Sequence, residues 1–374
     1  MNLHLQPLHP LNTIKRAIES HFNAGSNPPL FTVVDTLPPV VTTANCFDAL
    51  LIPSDHISRS PSDTYYVNDV TCLRTHTSAH QSPLLKSGLS SFLATGDVYR
   101  RDEIDESHYP VFHQMEGVRM FPVGTPSSVI ESDLKVRLSG LATTLFGNVE
   151  MRWNETYFPF TTPSYELEIL FNGHWLEVLG CGVIQQQIIR EAGRGEEPGW
   201  AFGLGLERLA MVLFQIPDIR LFWSTDIRFH EQFKDGKIGV KFQPYSKYPF
   251  VYKDISFWTT GGGGGLKAGG GGGAGGGGAS GGGGVGGGVD SSPPPSFHAN
   301  DLCEIVRGVC PIGEDIIEKV SLIDEFTHPT TKRMSKCFRI TYRSMDRNLT
   351  NDEIDKVQEQ VRAEVVEKLG VVLR

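Results

Sequence analysis

Apolar and polar positions alternate along this chain in two registers, one up to about residue 240 and one beyond it. Pro10–Phe22 carries apolar residues at helical spacing behind a proline and predicts a helix. Phe92–Tyr99 and Val111–Met120 are apolar runs on either side of a polar loop and predict paired strands. Ser132–Phe146 has a helical period. Ser164–Phe171 and Trp175–Leu179 alternate across Asn172-Gly173, a strong hairpin signal because both turn positions favour positive φ. Cys181–Arg190 and Leu206–Phe214 predict further helices. Helices and strands are interspersed, so the first part is expected to be mixed α/β (α+β).

The second part reads strand, helix, strand, strand, helix, strand. Val251–Trp258 is the first strand, Asn300–Gly308 the first helix, and Ile317–Phe326 and Lys336–Ser344 the middle strands. Thr350-Asn351-Asp352-Glu353 is a capping box that opens a long helix to Leu369, Gly370 stops it, and Val371–Leu373 is a short last strand. This order is the split βαβ of a ferredoxin-like domain. It needs Val251–Trp258 as its first strand, so the domains are expected at 1–242 and 243–374. The glycine-dominated tract and the prolines after it, 261–295, then fall inside the second domain, between its first strand and first helix. Such a composition cannot bury enough apolar surface to offset its ordering entropy, and it is expected to be disordered.

Bulk properties narrow the field. The net charge is −9, which argues against nonspecific nucleic-acid binding. The acid excess lies almost wholly before residue 243, so an RNA contact is easier to place on the second domain. The six cysteines form no C-x-x-C pair, so neither a zinc site nor a disulfide framework is suggested. No apolar run is long enough to span a bilayer, and no membrane partner is expected. Met1–Pro10 lacks the look of a transit peptide, so such a segment is expected to have been removed or to be missing.

Two arginines carry the chemistry. Arg100 lies in Gly96-Asp97-Val98-Tyr99-Arg100-Arg101-Asp102-Glu103, which runs on to Tyr109-Pro110-Val111-Phe112-His113-Gln114-Met115-Glu116-Gly117. Arg208 lies in Gly203-Leu204-Gly205-Leu206-Glu207-Arg208-Leu209. The first reads as strand, polar loop, strand, and the second as a glycine-rich strand entering an apolar helix. Together they resemble motifs 2 and 3 of class II aminoacyl-tRNA synthetases. Further stretches agree in order: Asp63-Thr64-Tyr65-Tyr66, Leu73 through Gln81, Phe158-Pro159-Phe160-Thr161, Trp175 through Gly182, and Ile216 through Trp223. With these, the chain resembles the single-chain phenylalanyl-tRNA synthetases of mitochondria and chloroplasts from about His9 to its end.

That resemblance implies a class II antiparallel-sheet catalytic domain followed by a ferredoxin-like anticodon-binding domain. It implies activation of phenylalanine by ATP to an adenylate, then transfer to the terminal adenosine of tRNA(Phe). ATP and Mg²⁺ are the implied cofactors. Arg100 and Arg208 would be catalytic, gripping the α- and γ-phosphates with the permanent charge and planar fork of arginine. Ser107, His108 and Tyr109 would line the nucleotide, Phe112 would stack on adenine, and Glu177 would bind the metal as a hard oxygen ligand. His76, Ser78, Ala79, His80 and Gln81, with Gln114, Met115 and Glu116, would surround the ammonium and carboxylate of phenylalanine. Phe158, Phe160, Ala201 and Phe202 would form its ring pocket, with Phe158 and Phe160 facing one side of a strand and meeting the ring edge to face. The basic residues Lys336, Arg339 and Arg343 would meet tRNA. A monomer in the mitochondrial matrix or chloroplast stroma is implied.

Blander readings stay open for several of these. Arg100 and Arg208 could be structural ion pairs, Ser78 a helix cap, His80 a core hydrogen-bonding residue, Phe158 and Phe160 core packing, and the basic strand a solvated face. A Ser/His catalytic pair has no nucleophile-elbow sequence to support it. Two features depart from the family pattern outside the glycine tract: a short connection after Met120, and His56-Ile57 where His-Pro is usual. The rival functions are a noncatalytic RNA-binding paralogue that keeps the fold, against which Arg100, Glu116, Glu177 and Arg208 speak, and a class II adenylating enzyme for another acid, against which Phe158, Phe160 and Ala201 speak.

Overall fold

The structure is a computed structural model that describes residues 2–259, 297–310 and 316–374. The tract expected to be disordered, 261–295, lies outside the described residues. The chain divides into two compact units, Met1–Gln243 and Pro244–Arg374.

The first unit opens with α1 (Pro10–Asn23) and β1 (Thr32–Val34). Pro10 occupies the first helical position, where its missing N–H costs nothing, and the His9 side chain accepts a hydrogen bond from the Leu11 amide. A small antiparallel sheet follows: β2 (Val40–Thr42), β3 (Tyr66–Asn68) and β4 (Thr71–Leu73), with α2 (Thr43–Cys46) between the first two. Then come α3 (Gln81–Lys86), β5 (Ser91–Tyr99), β6 (Val111–Met120), α4 (Ser127–Phe146), β7 (Met151–Phe158), β8 (Thr161–Phe171), β9 (His174–Ile184), α5 (Gln186–Glu191), β10 (Gly199–Gly205), α6 (Leu206–Phe214) and α7 (Ile227–Gln232).

The main sheet has the order β1-β5-β6-β10-β9-β8-β7. Only its β1–β5 pair is parallel. The expected helix over Cys181–Arg190 is instead the end of a strand followed by a short helix, since β9 runs on to Ile184. The strand is covered on both faces there, and an apolar run without alternation does not distinguish the two forms.

One face of the sheet is sealed by helices. Leu11, Ile14, Ile18 and Phe22 of α1 are buried. The Phe22 ring stacks on Phe202 with centroids 5.1 Å apart. Asp133 of α4 accepts hydrogen bonds from Arg119 and from Trp200 Nε1, at 2.7 and 2.8 Å, and so ties that helix to β6 and β10. Residues opposite one another in the ladder share a face. The pairs Gln114–Gly205, Glu116–Gly203 and Val118–Ala201, with Gly182–Ala201 and Gly180–Gly203, therefore look away from α1 and α4, and Val118 and Ala201 pack with Leu84 of α3 and Ile188 of α5.

The second unit holds β11 (Val251–Trp258), α8 (Ala299–Val309), β12 (Ile317–Thr327), β13 (Met334–Tyr342), α9 (Asn351–Leu369) and β14 (Val372–Leu373). Its antiparallel sheet has the order β12-β13-β11-β14. Ile255, Phe257, Phe338, Ile340 and Tyr342 bury one face against Leu302 and Val306 of α8 and Ile354, Val361 and Val365 of α9. The Thr350–Glu353 capping box forms, and Gly370 closes the helix at φ 59°. Among the described residues no helix is long and apolar enough to cross a membrane.

On the helix side of the main sheet, a Cβ on Gly117 would overlap the Phe202 ring. That ring is held by Phe22 and cannot retreat. Gly117→Ala is expected to destabilise the first unit by about 1–3 kcal/mol. The check is the urea midpoint of tryptophan fluorescence, which an open site would leave unmoved.

Candidate active site

The open face of the main sheet forms the floor of a cleft of about 1200 Å³. Its floor strands carry glycine or alanine at 180, 201, 203 and 205, and over Gly203 and Gly205 the space above the backbone is open. The β5–β6 hairpin supplies one wall. Arg100 follows β5, and its amide donates to the Pro110 carbonyl at 3.0 Å, closing the base of the loop. Arg100 Nε donates to the Thr75 carbonyl at 3.1 Å. The guanidinium lies 5.2 Å from the Phe112 ring centre. Among the described residues Arg100 makes no ion pair, which leaves its charge uncompensated in the cleft.

Arg208 sits in the first turn of α6, directly after β10. Its Nη1 is 3.7 Å from Glu177 Oε2, and both side chains are about half exposed. An exposed pair at that distance holds weakly and can open for a ligand. Glu207, next to Arg208, is buried and accepts from the His113 amide at 2.8 Å and from His113 Nδ1 at 2.6 Å. His113 follows Phe112, so this buried pair ties the Arg208 turn to the strand that carries Phe112.

The polar loop is organised by a residue the sequence reading missed. Asp105 accepts from the amides of Ser107 and His108, both at 2.7 Å, and from His108 Nδ1 at 2.9 Å. The His108 and Ser107 bonds hold its carboxyl well below the usual range, and Asp105 in turn raises His108. Tyr109 packs 4.6 Å from Trp223, and the Ile219 amide donates to the Glu106 carbonyl. An Asp two and three residues ahead of Ser-His is the usual signal for such a turn.

A buried polar patch lies between the arginines and the apolar end. Burial pushes the Glu116 carboxyl up to about 8, against the opposing pull of a Ser78 hydrogen bond. Glu116 Oε2, Gln81 Nε2 and both ring nitrogens of His76 are buried without a hydrogen-bond partner. His76 is driven down to about 3, by burial first and then by the Arg100 charge. Buried polar atoms are normally paired, so such a cluster marks a place built for a polar ligand.

At the apolar end, Phe158 and Phe160 are parallel, with centroids 5.5 Å apart and planes 3° from parallel. They do not share a strand as expected: β7 ends at Phe158, β8 begins at Thr161, and the turn between them brings both rings to one side. Phe160 packs on the cluster that contains Ala201, Ile184 and Ile188. A Cβ on Gly180 would come 2.9 Å from the Phe158 ring.

Of the expected residues, His76, Ser78, Gln81, Arg100, Ser107, His108, Tyr109, Phe112, Gln114, Glu116, Phe158, Phe160, Glu177, Ala201 and Arg208 line this one cleft. Four others do not present side chains to it. Met115 alternates with Gln114 and Glu116 and is buried on the helix side. Phe202 borders the cleft, but its ring stacks on Phe22, on the far face of β10. Ala79 packs in the core with Cys46, Phe47 and Cys72. His80 accepts from Arg74 Nη1 at 2.9 Å in a buried network where Arg74 also pairs with Asp97 at 2.7 Å. Glu166, which lines the cleft, was not foreseen. It lies inside the strand expected over Ser164–Phe171, and alternation along that strand was the signal that could have found it.

Among the described residues no group of three or more His, Cys, Asp or Glu could hold a metal on its own. The Glu177 carboxylate, which borders the cleft and is about half exposed, fits a hard divalent ion that brings most of its oxygens with a triphosphate.

In the second unit Arg339 lies on the face of β13 away from the helices, and Arg343 directly follows the strand. Arg339 forms a two-pronged pair with Asp254 at 2.8 and 2.9 Å and lies 4.1 Å from the Tyr252 ring centre. Arg343 pairs with Glu318 at 3.0 Å and lies 5.2 Å from Phe250. Lys336 is not with them. It has the parity of Phe338 and Ile340, pairs with Glu325 at 2.7 Å and lies 5.9 Å from Phe297 on the helix side.

Residues 2–233 match the tRNA synthetases class II core domain (F), and residues 294–374 match the ferredoxin-fold anticodon binding domain. The second match begins beyond β11, which the structure nevertheless places inside that domain's sheet. The chain is 50% identical, over 100% of its length and 80% of the relative's, to a chloroplastic/mitochondrial phenylalanine–tRNA ligase of Arabidopsis thaliana. It is 48% identical, over 99% and 82%, to the mitochondrial phenylalanine–tRNA ligase of Mus musculus. It is 37% identical, over 100% and 89%, to that of Saccharomyces cerevisiae.

Proposed function

The chain belongs to the phenylalanine–tRNA ligases of the class II tRNA synthetase family, and from that membership we propose how its cleft performs the reaction. The family uses ATP to join an amino acid to tRNA. The observation that carries the reading is that Arg100, Arg208 and the Phe158–Phe160 pair line one cavity.

Phenylalanine enters with its ring against Phe158 and Phe160 and its far edge toward Ala201. Its ammonium is held by Glu116, Ser78 and Gln81, and Gln114 and His76 border its carboxylate. ATP lies over the floor with adenine against Phe112 and Ser107, His108 and Tyr109 along its rim. Arg100 holds the α-phosphate and Arg208 the γ-phosphate. The carboxylate oxygen attacks the α-phosphorus and pyrophosphate leaves toward Arg208. Catalysis is positioning and charge stabilisation, with no covalent protein intermediate. Mg²⁺ would be held by Glu177 and, when bound, would neutralise phosphate charge.

Residues 1–242 then form the catalytic domain and 243–374 the anticodon-binding domain for tRNA(Phe). Its RNA contact is the helix-free sheet face of Arg339 and Arg343, whose guanidinium groups over Tyr252 and Phe250 suit unpaired bases. Both cations are already paired with acids, so stacking rather than net charge would dominate there. The relatives are named mitochondrial or chloroplastic, which supports work in organellar translation, in the mitochondrial matrix or chloroplast stroma.

Amino-acid-dependent pyrophosphate exchange across all twenty amino acids tests the assignment. Phenylalanine is expected to support it best, and Ala201→Gly is expected to admit para-chlorophenylalanine by opening the pocket's far end. No exchange with any amino acid would leave the noncatalytic RNA-binding paralogue.

The raised Glu116 carboxyl sets a pH dependence. Below about pH 8 the group is neutral in the free protein, whereas an ammonium ligand requires it charged. Binding therefore releases a proton below that pH. The kcat/KM for phenylalanine in exchange is expected to climb by up to about tenfold per unit from pH 6 and to level near pH 8. Glu116→Gln should flatten the climb. The same shift makes the folded state bind the extra proton, so Glu116 lowers stability progressively as pH rises from the ordinary carboxylate range to about 8.

A further inference from the structure

Tyr157 is the penultimate residue of β7, the outer strand of the main sheet. Its side chain is 77% exposed, yet it borders the cleft. The next residue, Phe158, turns inward onto Phe160. The same mouth is bordered by Pro53, His56 and Ile57, and Ile57 is 71% exposed. Ile52, just before them, is buried in the cluster on which Phe160 also packs. These rim residues are therefore anchored next to the apolar end of the cleft.

A single exposed apolar side chain is ordinary. Two at the mouth of a reaction cleft, one of them a large aromatic ring, form a surface that a flat apolar ligand would cover with gain. The established reaction supplies one. In its second step a ribose hydroxyl of the terminal adenosine bonds to the carbonyl carbon of the adenylate. The carbon–oxygen bond to the phosphate breaks, AMP leaves with the electron pair, and the hydroxyl proton passes to a phosphate oxygen of AMP. The carbonyl carbon sits between the ring pocket and the arginines, so the ribose must enter there and its base must stay at the mouth. That base has no pairing partner, and both of its faces are open for stacking. The inner aromatic groups have other places in the reading above: Phe158 and Phe160, parallel to each other, take the substrate ring, Phe112 takes the ATP adenine, and Tyr109 packs on Trp223.

We propose that Tyr157 is the stacking platform for the terminal adenine of tRNA, at a binding site separate from that of the ATP adenine. This deepens the reading of the cleft and rests on it. Ile57 closes the ledge on the side of the small sheet. Tyr157 acts by holding the ribose in place for the transfer step, and its hydroxyl takes no part.

The test compares two steps in the full chain. Charging of tRNA(Phe) and phenylalanine-dependent pyrophosphate exchange are measured for the unmodified enzyme, Tyr157→Ala and Tyr157→Phe. The ratio of charging efficiency to exchange efficiency is expected to fall by about ten- to a hundredfold in Tyr157→Ala, the range for losing one base–aromatic stack. Tyr157→Phe should restore it. A tRNA ending in 2-aminopurine should lose fluorescence on binding the unmodified enzyme and Tyr157→Phe, and keep it with Tyr157→Ala. An unchanged ratio in Tyr157→Ala, no recovery in Tyr157→Phe, or equal quenching by all three proteins would overturn the proposal. Absence of phenylalanine-dependent exchange in the unmodified enzyme would instead overturn the reading of the cleft itself.

Discussion

The site depends on one steric constraint, the alternation of large and small residues along β10. Trp200, Phe202 and Leu204 point to the helices, while Ala201, Gly203 and Gly205 point to the cleft. Their ladder neighbours on β9, Gly180 and Gly182, repeat the pattern. One strand therefore anchors the helical layer with its large side chains and vacates the opposite face for ligands. Above Gly203 and Gly205 of β10 the space is open, whereas filling the floor from β9 collides with what lies above it. A Cβ at Gly180 meets Phe158, and one at Gly182 meets Thr161 and the Pro163 carbonyl. The apolar slot and the bare floor are one feature seen from two sides.

Around that floor, buried charges hold the walls. Arg74 pairs with Asp97, donates to His80, and lies so close over Gly96 that no Cβ would fit there. Its carbonyl accepts from the Tyr99 amide, so the segment that leads to His76 is fixed to the edge of β5 beside Arg100. Breaking such a buried pair costs several kcal/mol, about 3–5, because the remaining charge has no solvent. The pair need not add net stability to be useful. Its geometry admits one placement of the His76–Gln81 turn, which a better-packed apolar substitute would not specify. Glu207 and His113 do the same for the Arg208 turn. The groups left for ligands differ from these in one respect: Glu116 Oε2, Gln81 Nε2 and the His76 ring nitrogens are buried without a hydrogen-bond partner.

Much of this was legible in the sequence for local reasons. The Asn172-Gly173 hairpin, the Thr350–Glu353 capping box and the β5–β6 pair each follow from neighbours in the chain, and the structure has all three. The order of the second unit's elements was legible because alternation and capping left one arrangement. What escaped depended on which side of a strand faced the helices. Met115 and Phe202 sit among cleft residues in sequence but half a pleat away in space. Lys336 differs from Arg339 only by an odd step along one strand, which moves it to the other face. For His80 the blander expectation is the one the structure shows, a core hydrogen bond to Arg74, whose guanidinium also pairs with Asp97. Asp105 escaped because it shapes the turn through the Ser107 and His108 amides rather than lining the cleft itself.

The position of β11 shows how far long-range pairing can override composition. It is separated from the rest of its domain by the glycine-dominated tract, and composition alone would cut the chain there. Yet β11 pairs with β13 along its whole length, from Val251 opposite Tyr342 to Trp258 opposite Ser335, and with β14 on its other edge. Ile255 and Phe257 are buried in the domain's core. The entropy of closing a connection grows only with the logarithm of its length, about 0.6 kcal/mol for each doubling. Fully burying one large apolar side chain contributes about 1.5–3 kcal/mol. Two such side chains on β11 exceed the added closure cost of even a severalfold longer connection. A ferredoxin-like sheet can thus accept a long insertion between its first strand and first helix, provided the strand still brings its apolar face to the core.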